Sequence, residues 1–402
     1  MGKYLVMNAG SSSLKFSLYE MPEEKVLASG KVESANKNNV KWSIKDEQGY
    51  LKASEIGEVK DYKDATSRVV SMLIDNGFIK NYDEIEGIGH RVVFAGNNYK
   101  EPVIIDDHVI KVIDSYSNQA LAHNPAAALV INVMQEYFPN ASHTASFDSS
   151  FHQTMPDKNK IYPIPIKISE KNEFQKHGYH SPSNKAVLIE AKKLSNIKKG
   201  NFITGHIGNG VSFTTIKDWK SIWTSMGYSP NSGAMMGNRS GEIDPEIVIA
   251  LMEKYGTNET RKILTEKSGI FGLSGMRGLN TIYKEADQGN KKAILTKEIY
   301  LNSLAENFAK SAINMQDVVE AIVFTGGIGE HNARFREDFC NRISSPYMPL
   351  YLDKNLNEQT VEGKTGIISS VKSVIPMYVF SAKEELMILR DCYKTINKNY
   401  AM

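Results

Sequence analysis

Apolar runs broken by small polar residues set the rhythm of the first part of the chain. Tyr4 to Met7 is one such run, Lys15 to Tyr19 another, and Asn8-Ala9-Gly10-Ser11-Ser12-Ser13 separates them. The spacing predicts strand, turn, strand, with backbone N–H groups and hydroxyls exposed at the bend. Such a bend can grip phosphate, and an ordinary Ser-rich hairpin fits the same pattern. No Gly-x-x-x-x-Gly-Lys-Ser/Thr occurs, so it is not the familiar phosphate loop.

Further strands are predicted at Gly87 to Val93 and Ser142 to Ser146. Val69, Val70, Leu73 and Ile74 recur at helical spacing within Lys63 to Asn76, and Pro125 suits the first turn of another helix. Pro156, Pro163 and Pro165 punctuate a stretch that reads as a crossing between domains. Phe202 to Ile216 then repeats strand, Gly/Asn/Ser turn, strand around His206-Ile207-Gly208-Asn209-Gly210, which points to an internal duplication. Asp244-Pro245 caps a helix carrying Ile247, Val248, Leu251 and Met252, and a longer one carries Leu301, Leu304, Phe308, Ala312 and Met315. Both stripes are expected in the core. A buried strand at Ala321 to Phe324 runs into Gly326-Gly327-Ile328-Gly329-Glu330-His331, where glycines allow close backbone approach but the dinucleotide fingerprint is incomplete.

Composition narrows the class. With 402 residues, two domains are the natural expectation. The 48 Lys+Arg balance 46 Asp+Glu, leaving no basic excess to suggest nucleic acid or a membrane surface, while small anionic substrates stay open. Cys340 and Cys392 are the only cysteines and lack metal-ligand spacing, which fits a reducing compartment. No basic-then-apolar leader and no apolar run of membrane-spanning length occur, so a cytoplasmic protein is expected.

Polar residues at the ends of apolar segments are the candidate chemistry. Arg91 and Arg239 sit in Gly-rich settings, and a planar fork of donors matches carboxylate and phosphate oxygens. Taken singly, an arginine is more often a surface ion-pair partner. Asp148 follows a strand, where a carboxylate can orient a metal, a water or an arginine; His180 lies on a turn, where a lone histidine is more often structural. Lys383-Glu384-Glu385 opens a helix that a glutamate can cap, or where it can hold Mg2+.

Together these segments resemble the acetate kinase family, through NAGSSSLKF at 8–16, GHRVV at 89–93, HNP at 123–125, FDSSFHQTMP at 147–156, GHIGNG at 205–210, TSMGYSP at 224–230, RSGEIDP at 239–245, VFTGGIGE at 323–330 and EELMILRD at 384–391. The resemblance implies an α/β fold of two duplicated actin-like (ribonuclease H-like) domains with a cleft between them. Residues 1–150 would form the first, completed by a C-terminal helix at 385–402, and 151–384 the second, carrying the nucleotide site and a homodimer interface. ATP or ADP is implied near Asn8, Ser11, Ser13, Lys15 and His206 to Gly210 (His206, Ile207, Gly208, Asn209, Gly210), with Met276, Arg277 and Gly327, Ile328, Gly329, Glu330, His331 toward the adenosine. Mg2+ (or Mn2+) would lie at Asn8 and Glu384. Arg91 matches the carboxylate-binding arginine, Arg239 and His180 the groups that steady the phosphoryl group, and Asp148 the active-site aspartate, expected to organise metal, water or Arg239 without abstracting a proton.

The family pattern is broken in three places. Phe94-Ala95-Gly96 replaces His-Gly-Gly, and Gly178-Tyr179-His180-Ser181-Pro182-Ser183-Asn184 replaces Gly-Phe-His-Gly-Thr-Ser-His. The pocket for the substrate methyl matches Val93, Ala122, Tyr179 and Pro230, with Ala122 and Tyr179 where Leu and Phe are usual. The segment before Arg277 is shortened to Met276-Arg277-Gly278 and lacks the family's acidic residue, which opens base selectivity to other nucleotides or pyrophosphate. The leading expectation is acetate kinase, with propionate or butyrate kinase as the near alternative and an actin-like, nucleotide-driven conformational module as the distant one. One methylene in such a pocket shifts preference by about 1–3 kcal/mol. Ala122→Leu should therefore lower the propionate-to-acetate ratio of kcat/KM, and an unchanged ratio would count against the pocket assignment.

Overall fold

β1 (Gly2–Ala9) is apolar at every position from Tyr4 to Met7, and each of those side chains is buried. A strand covered on both faces has that pattern. In the computed structural model, which describes residues 2–10, 13–33, 37–117, 123–361 and 363–398, Leu5 and Met7 pack into a core with the helices Tyr62–Asp75 and Asn124–Tyr137. Tyr4 and Val6 face the other way, against Ile388, Leu389 and Cys392 of the helix Glu384–Ile396. The two-residue alternation of a strand thus assigns one sequence run to two layers of helix.

The chain divides into two units, one of residues 1–150 with 383–402 and one of residues 151–382. In the first, β2 (Ser13–Met21), β3 (Lys25–Glu33), β4 (Lys37–Asp46), β5 (Leu51–Val59), β6 (Ile85–Val92), β7 (Val103–Ile104) and β8 (Ser142–Phe147) join β1 in an eight-stranded sheet of order β5-β4-β3-β2-β1-β6-β8-β7. The second holds β9 (Phe202–Ile207), β10 (Val211–Lys217), β11 (Lys220–Thr224), β12 (Ala321–Thr325), β13 (Gly366–Ile367) and β14 (Met377–Val379), ordered β11-β10-β9-β12-β14-β13.

The second order repeats β3-β2-β1-β6-β8-β7 strand for strand. β1 pairs antiparallel with β2 and parallel with β6, and β9 does the same with β10 and β12. The next parallel pairs, β6 with β8 and β12 with β14, and the antiparallel edges β7 and β13 also correspond. The duplication expected from two similar turns therefore extends over the whole topology, and the class is α/β as expected. β4 and β5 belong to the first unit alone.

Glycines let the last helix lie close on the first sheet. A Cβ on Gly87 would stand 2.6 Å from both the Tyr4 ring and Ile396, and one on Gly89 3.0 Å from Ile388. The Gly-x-Gly before Arg91 thus serves helix packing. The stripe Leu301, Leu304, Phe308 and Met315 is buried along the helix Lys291–Met315, as its spacing predicts. The stripe after Asp244 is not. On the helix Pro245–Glu266, kinked at Gly256, Ile247 is 49% and Met252 42% exposed, so within one chain this apolar face is left in solvent.

Four histidines are buried neutral. His90 and His143 stack with Nε2 and Nδ1 3.1 Å apart, and burial lowers the pKa of each. Burial also lowers His152 and His177 to about 4. Below the unfolded value of about 6.5 the unfolded chain takes protons that these rings refuse, so their contribution is intact above that pH and is lost as pH falls toward 4. For His152 and His177 the loss approaches about 1.4 kcal/mol per pH unit each. Urea midpoints should fall steeply between pH 6.5 and 4; a flat profile there would contradict the burial of neutral rings.

Candidate active site

Within the first unit, three parallel strands deliver polar residues at one edge. The register sets Met7 beside His90 and Arg91 beside Ser146, so Asn8, Arg91 and Asp148 meet at the carboxyl ends of β1, β6 and β8. Arg91 Nε donates to Asp148 Oδ1 at 2.9 Å and Nη2 to Oδ2 at 2.6 Å, a two-pronged charge-assisted pair. Arg91 Nη1 donates to Asn8 Oδ1 at 3.0 Å, and Asn8 Nδ2 to Glu385 Oε1 at 3.0 Å. Asn8 and Asp148 are 3% and 1% exposed. Burial disfavours the Arg91 cation, but Asp148, Glu384 and Glu385 outweigh it and raise its pKa.

Of the two residues expected at the metal, Asn8 is bonded to Glu385, and the adjacent Glu384 acts on Arg91 through its charge. Asp148 is bonded to an arginine, one of the partners its position after a strand suggests, and that arginine is Arg91. Of the turn residues, Gly10 donates its N–H to Ser13 O at 2.8 Å and accepts from the Tyr62 hydroxyl at 2.6 Å. Lys15 lies opposite Asn8 and is exposed. Val93 is buried just past β6. The fully buried Asn124 fixes the backbone after it, accepting from Phe94 N and donating to Phe94 O and Ile113 O. Ser11 and Ala122 lie outside the described residues.

In the second unit, His180 precedes the helix Ser181–Ala191 at φ 63°, left-handed backbone that a non-glycine residue occupies at a cost of about 1–3 kcal/mol. Its Nδ1 is 2.9 Å from Ser212 Oγ, and its ring stacks on His206 with centroids 4.0 Å apart. His206 Nδ1 is 2.8 Å from Ser183 Oγ. Gly210 adjoins these groups: a Cβ there would stand 3.3 Å from His180 Nε2 and 3.7 Å from Arg239 Nη1. Arg239 Nη1 donates to Pro230 O at 2.9 Å. Asn209 and Gly237 are tied backbone to backbone, joining the Gly208–Gly210 turn to the segment that carries Arg239.

His152, an inconspicuous member of the segment 147–156, braces this region. Its Nε2 lies 2.8 Å from Tyr179 O and its Nδ1 2.9 Å from Ser221 Oγ. The Tyr179 hydroxyl, absent from the usual Phe, donates to Tyr228 O at 2.8 Å, so the ring is pinned at both ends and fully buried.

Gly326 opens the short helix Gly326–His331 at φ 77°, where a Cβ would meet Ile207 N at 2.9 Å. Ile207 is buried, and Gly327 N lies 3.8 Å from the place a Cβ on Gly208 would take. Glu330 points inward, its Oε1 accepting from Gly326 N and Ala382 N. Gly329 and Glu330 are held from below by Arg336, which is wholly buried and gives its five N–H donors to carbonyl oxygens of Gly329, Glu330, Asn357 and Thr360 and to the Asn357 side chain. Burial without a carboxylate partner lowers its pKa to about 10. His331 is exposed at the end of that helix. Met276 N donates to Ser274 Oγ, and the exposed Arg277 lies over the Phe271 ring at 4.4 Å.

Residues 3–390 match the model of the acetokinase family. An acetate kinase of Geobacillus sp. (strain WCH70) is 38% identical over 99% of this chain and 100% of its own. One of Thermotoga maritima is 38% identical over 98% and 99%. Among solved structures, an acetate kinase of Porphyromonas gingivalis superposes with TM-score 0.85 at 32% identity, covering 98% of this chain and 100% of that one. A propionate kinase of Francisella tularensis gives TM-score 0.88 at 33% identity with the same coverage. The fold is the two-domain actin-like one.

Arg336→Lys offers three donors in place of five and strands at least two buried acceptors. At about 1–3 kcal/mol each, stability should drop by about 2–6 kcal/mol. A urea midpoint equal to the parent's would refute the clamp.

Proposed function

This chain belongs to the acetokinase family, and from that premise we propose that it transfers the terminal phosphoryl group of ATP reversibly to a small carboxylic acid, acetate first, giving an acyl phosphate and ADP. One observation carries the reading of Arg91. It spends three of its five N–H donors on Asp148 and Asn8, and the other two, one on each terminal nitrogen, have no partner among the described residues. A small carboxylate takes such a pair.

The mechanism follows from ordinary acidities. A carboxylic acid with a pKa of about 4 is ionised near neutrality, so its oxygen attacks the phosphorus in line and no base is required. Catalysis then consists of positioning and of neutralising charge on the phosphoryl oxygens. Arg91 holds the carboxylate, and Asp148 holds Arg91. Arg239 and His180 face the transferring group, and the Asn209, Gly210 and Gly327 N–H groups cradle the phosphates. Asn8, Glu384 and Glu385 form an all-oxygen donor set that fits Mg2+ (or Mn2+), an ion that takes one or two carboxylates and leaves the rest of its shell to phosphate and water. Bound there, the cation would neutralise charge on the phosphates.

The solved propionate kinase neighbour and the small residue at Ala122 favour propionate as a second acceptor. A homodimer is proposed on the solvent-facing stripe Ile247, Ile249, Met252 and Tyr255. Buried thiols at Cys340 and Cys392 suit a cytoplasmic setting, and no helix among the described residues is long and apolar enough to cross a membrane.

Hydroxylamine trapping with two- to four-carbon acids, run with ATP, GTP and pyrophosphate, tests the reading. Acyl hydroxamate should form with acetate and ATP; phosphate release without trapped acyl group would defeat it. Asp148→Asn removes an acceptor from the fork and should lower kcat about 100-fold or more, whereas near-normal turnover with unchanged magnesium dependence would remove Asp148 from the machinery.

A further inference from the structure

The two stacked imidazoles of the second unit share one construction. Ser212 Oγ is 2.9 Å from His180 Nδ1 and Ser183 Oγ is 2.8 Å from His206 Nδ1. Both serines are at most 1% exposed, and neither hydroxyl has another partner among the described residues. A serine hydroxyl has a single proton to give. Were Nδ1 protonated, it would donate to Oγ and leave the buried O–H with no acceptor, at the full desolvation penalty of an unmade bond. The cheaper arrangement gives the serine proton to Nδ1 and places the ring proton on Nε2.

Those Nε2 atoms adjoin the glycine turn. His180 Nε2 is 3.3 Å from where a Cβ on Gly210 would stand, and His206 Nε2 is 3.8 Å from the corresponding point on Gly208. Arg239 Nη1 and Gly327 N lie 3.7 and 3.8 Å from the same two points. β9 and β10 set this up, because Ser212 is directly opposite His206 in their register and the two side chains share a face.

We propose that Ser212 and Ser183 are positioning residues that lock His180 and His206 as neutral Nε2–H donors aimed at phosphate over the Gly208–Gly210 turn. The assignment rests on the phosphoryl-transfer reading above for its use, and on the serine geometry for its existence. Neutral donors suit a reversible transfer, since they bind phosphate oxygens without the tight hold of a second full charge beside Arg239.

The test uses the full-length protein labelled with 15N-histidine, its signals assigned by their loss in His180→Gln and His206→Gln. Both rings should show the Nε2–H pattern, and adding inorganic phosphate should shift those two Nε2 signals. In Ser212→Ala the His180 ring, and in Ser183→Ala the His206 ring, should move to a mixture with Nδ1–H. The kcat should fall about 10- to 100-fold, with less than about a twofold change in KM for the carboxylate, and Thr at either position should restore the tautomer. Nδ1–H rings in the parent protein, or alanine variants that keep the Nε2–H pattern, overturn the proposal whatever the activity. Nε2–H rings that respond to phosphate in a protein that makes no acyl phosphate overturn the functional reading and leave the serine–histidine pairs standing.

Discussion

The first unit is organised around a charge pair that cannot be given up. Arg91 and Asp148 leave β6 and β8 side by side, and their side chains are 13% and 2% exposed. Removing one partner of such a pair strands the other, at about 3–5 kcal/mol. Neutral replacement of both would spare the fold and lose the cation. Because Arg91 also binds Asn8, and Asn8 binds Glu385, the pair couples the ends of three strands to the start of the final helix. One arginine therefore aligns β1, β6, β8 and the C-terminal helix, and retains two donors for a ligand.

The duplicated units have solved the same edge differently. In each, a glycine N–H closes the turn after the first strand, Gly10 to Ser13 O and Gly208 to Gly210 O. The first unit then assembles formal charges, which hold each other. The second assembles histidines, serines and bare backbone around glycines, with Arg239 as its cation. Left-handed non-glycine residues, His180 and Lys383, introduce the helices that carry groups of interest in both. Strain at corresponding places in two copies of a topology fits helices started where the site needs them.

Much of this was legible in the chain. Apolar runs around Gly/Ser/Asn turns marked β1, β2, β9 and β10, and the motifs singled out Arg91, Asp148, His180 and Arg239. Periodicity, however, states that a side chain leaves water and not what it leaves water for. The Ile247 to Met252 stripe has core spacing and faces solvent in the single chain. Arg336 reads as a surface arginine of a polar helix, yet its acceptors come from segments up to 24 positions away. His152 and Asn124 are similar, being polar residues whose work is to hold backbone distant in sequence. Glu385 was not singled out beside Glu384, because a pair of adjacent glutamates does not reveal which one bonds Asn8. Tyr179 differs from the usual Phe by one hydroxyl, whose purpose appears only with the Tyr228 carbonyl beside it.

The glycine-lined seat for the last helix also imposes an order on synthesis. Tyr4 and Val6 are made before the second unit, but the residues that cover them, Ile388, Leu389 and Cys392, are made only after it. All of residues 151–382 must leave the ribosome in between, an interval of roughly 10–50 s at ordinary elongation rates. During that time one face of the first sheet has no cover of its own, whereas the second unit carries its complete set of elements as a continuous stretch. The nascent chain thus completes its second unit before its first, and the N-terminal unit matures only once Ile388, Leu389 and Cys392 have emerged.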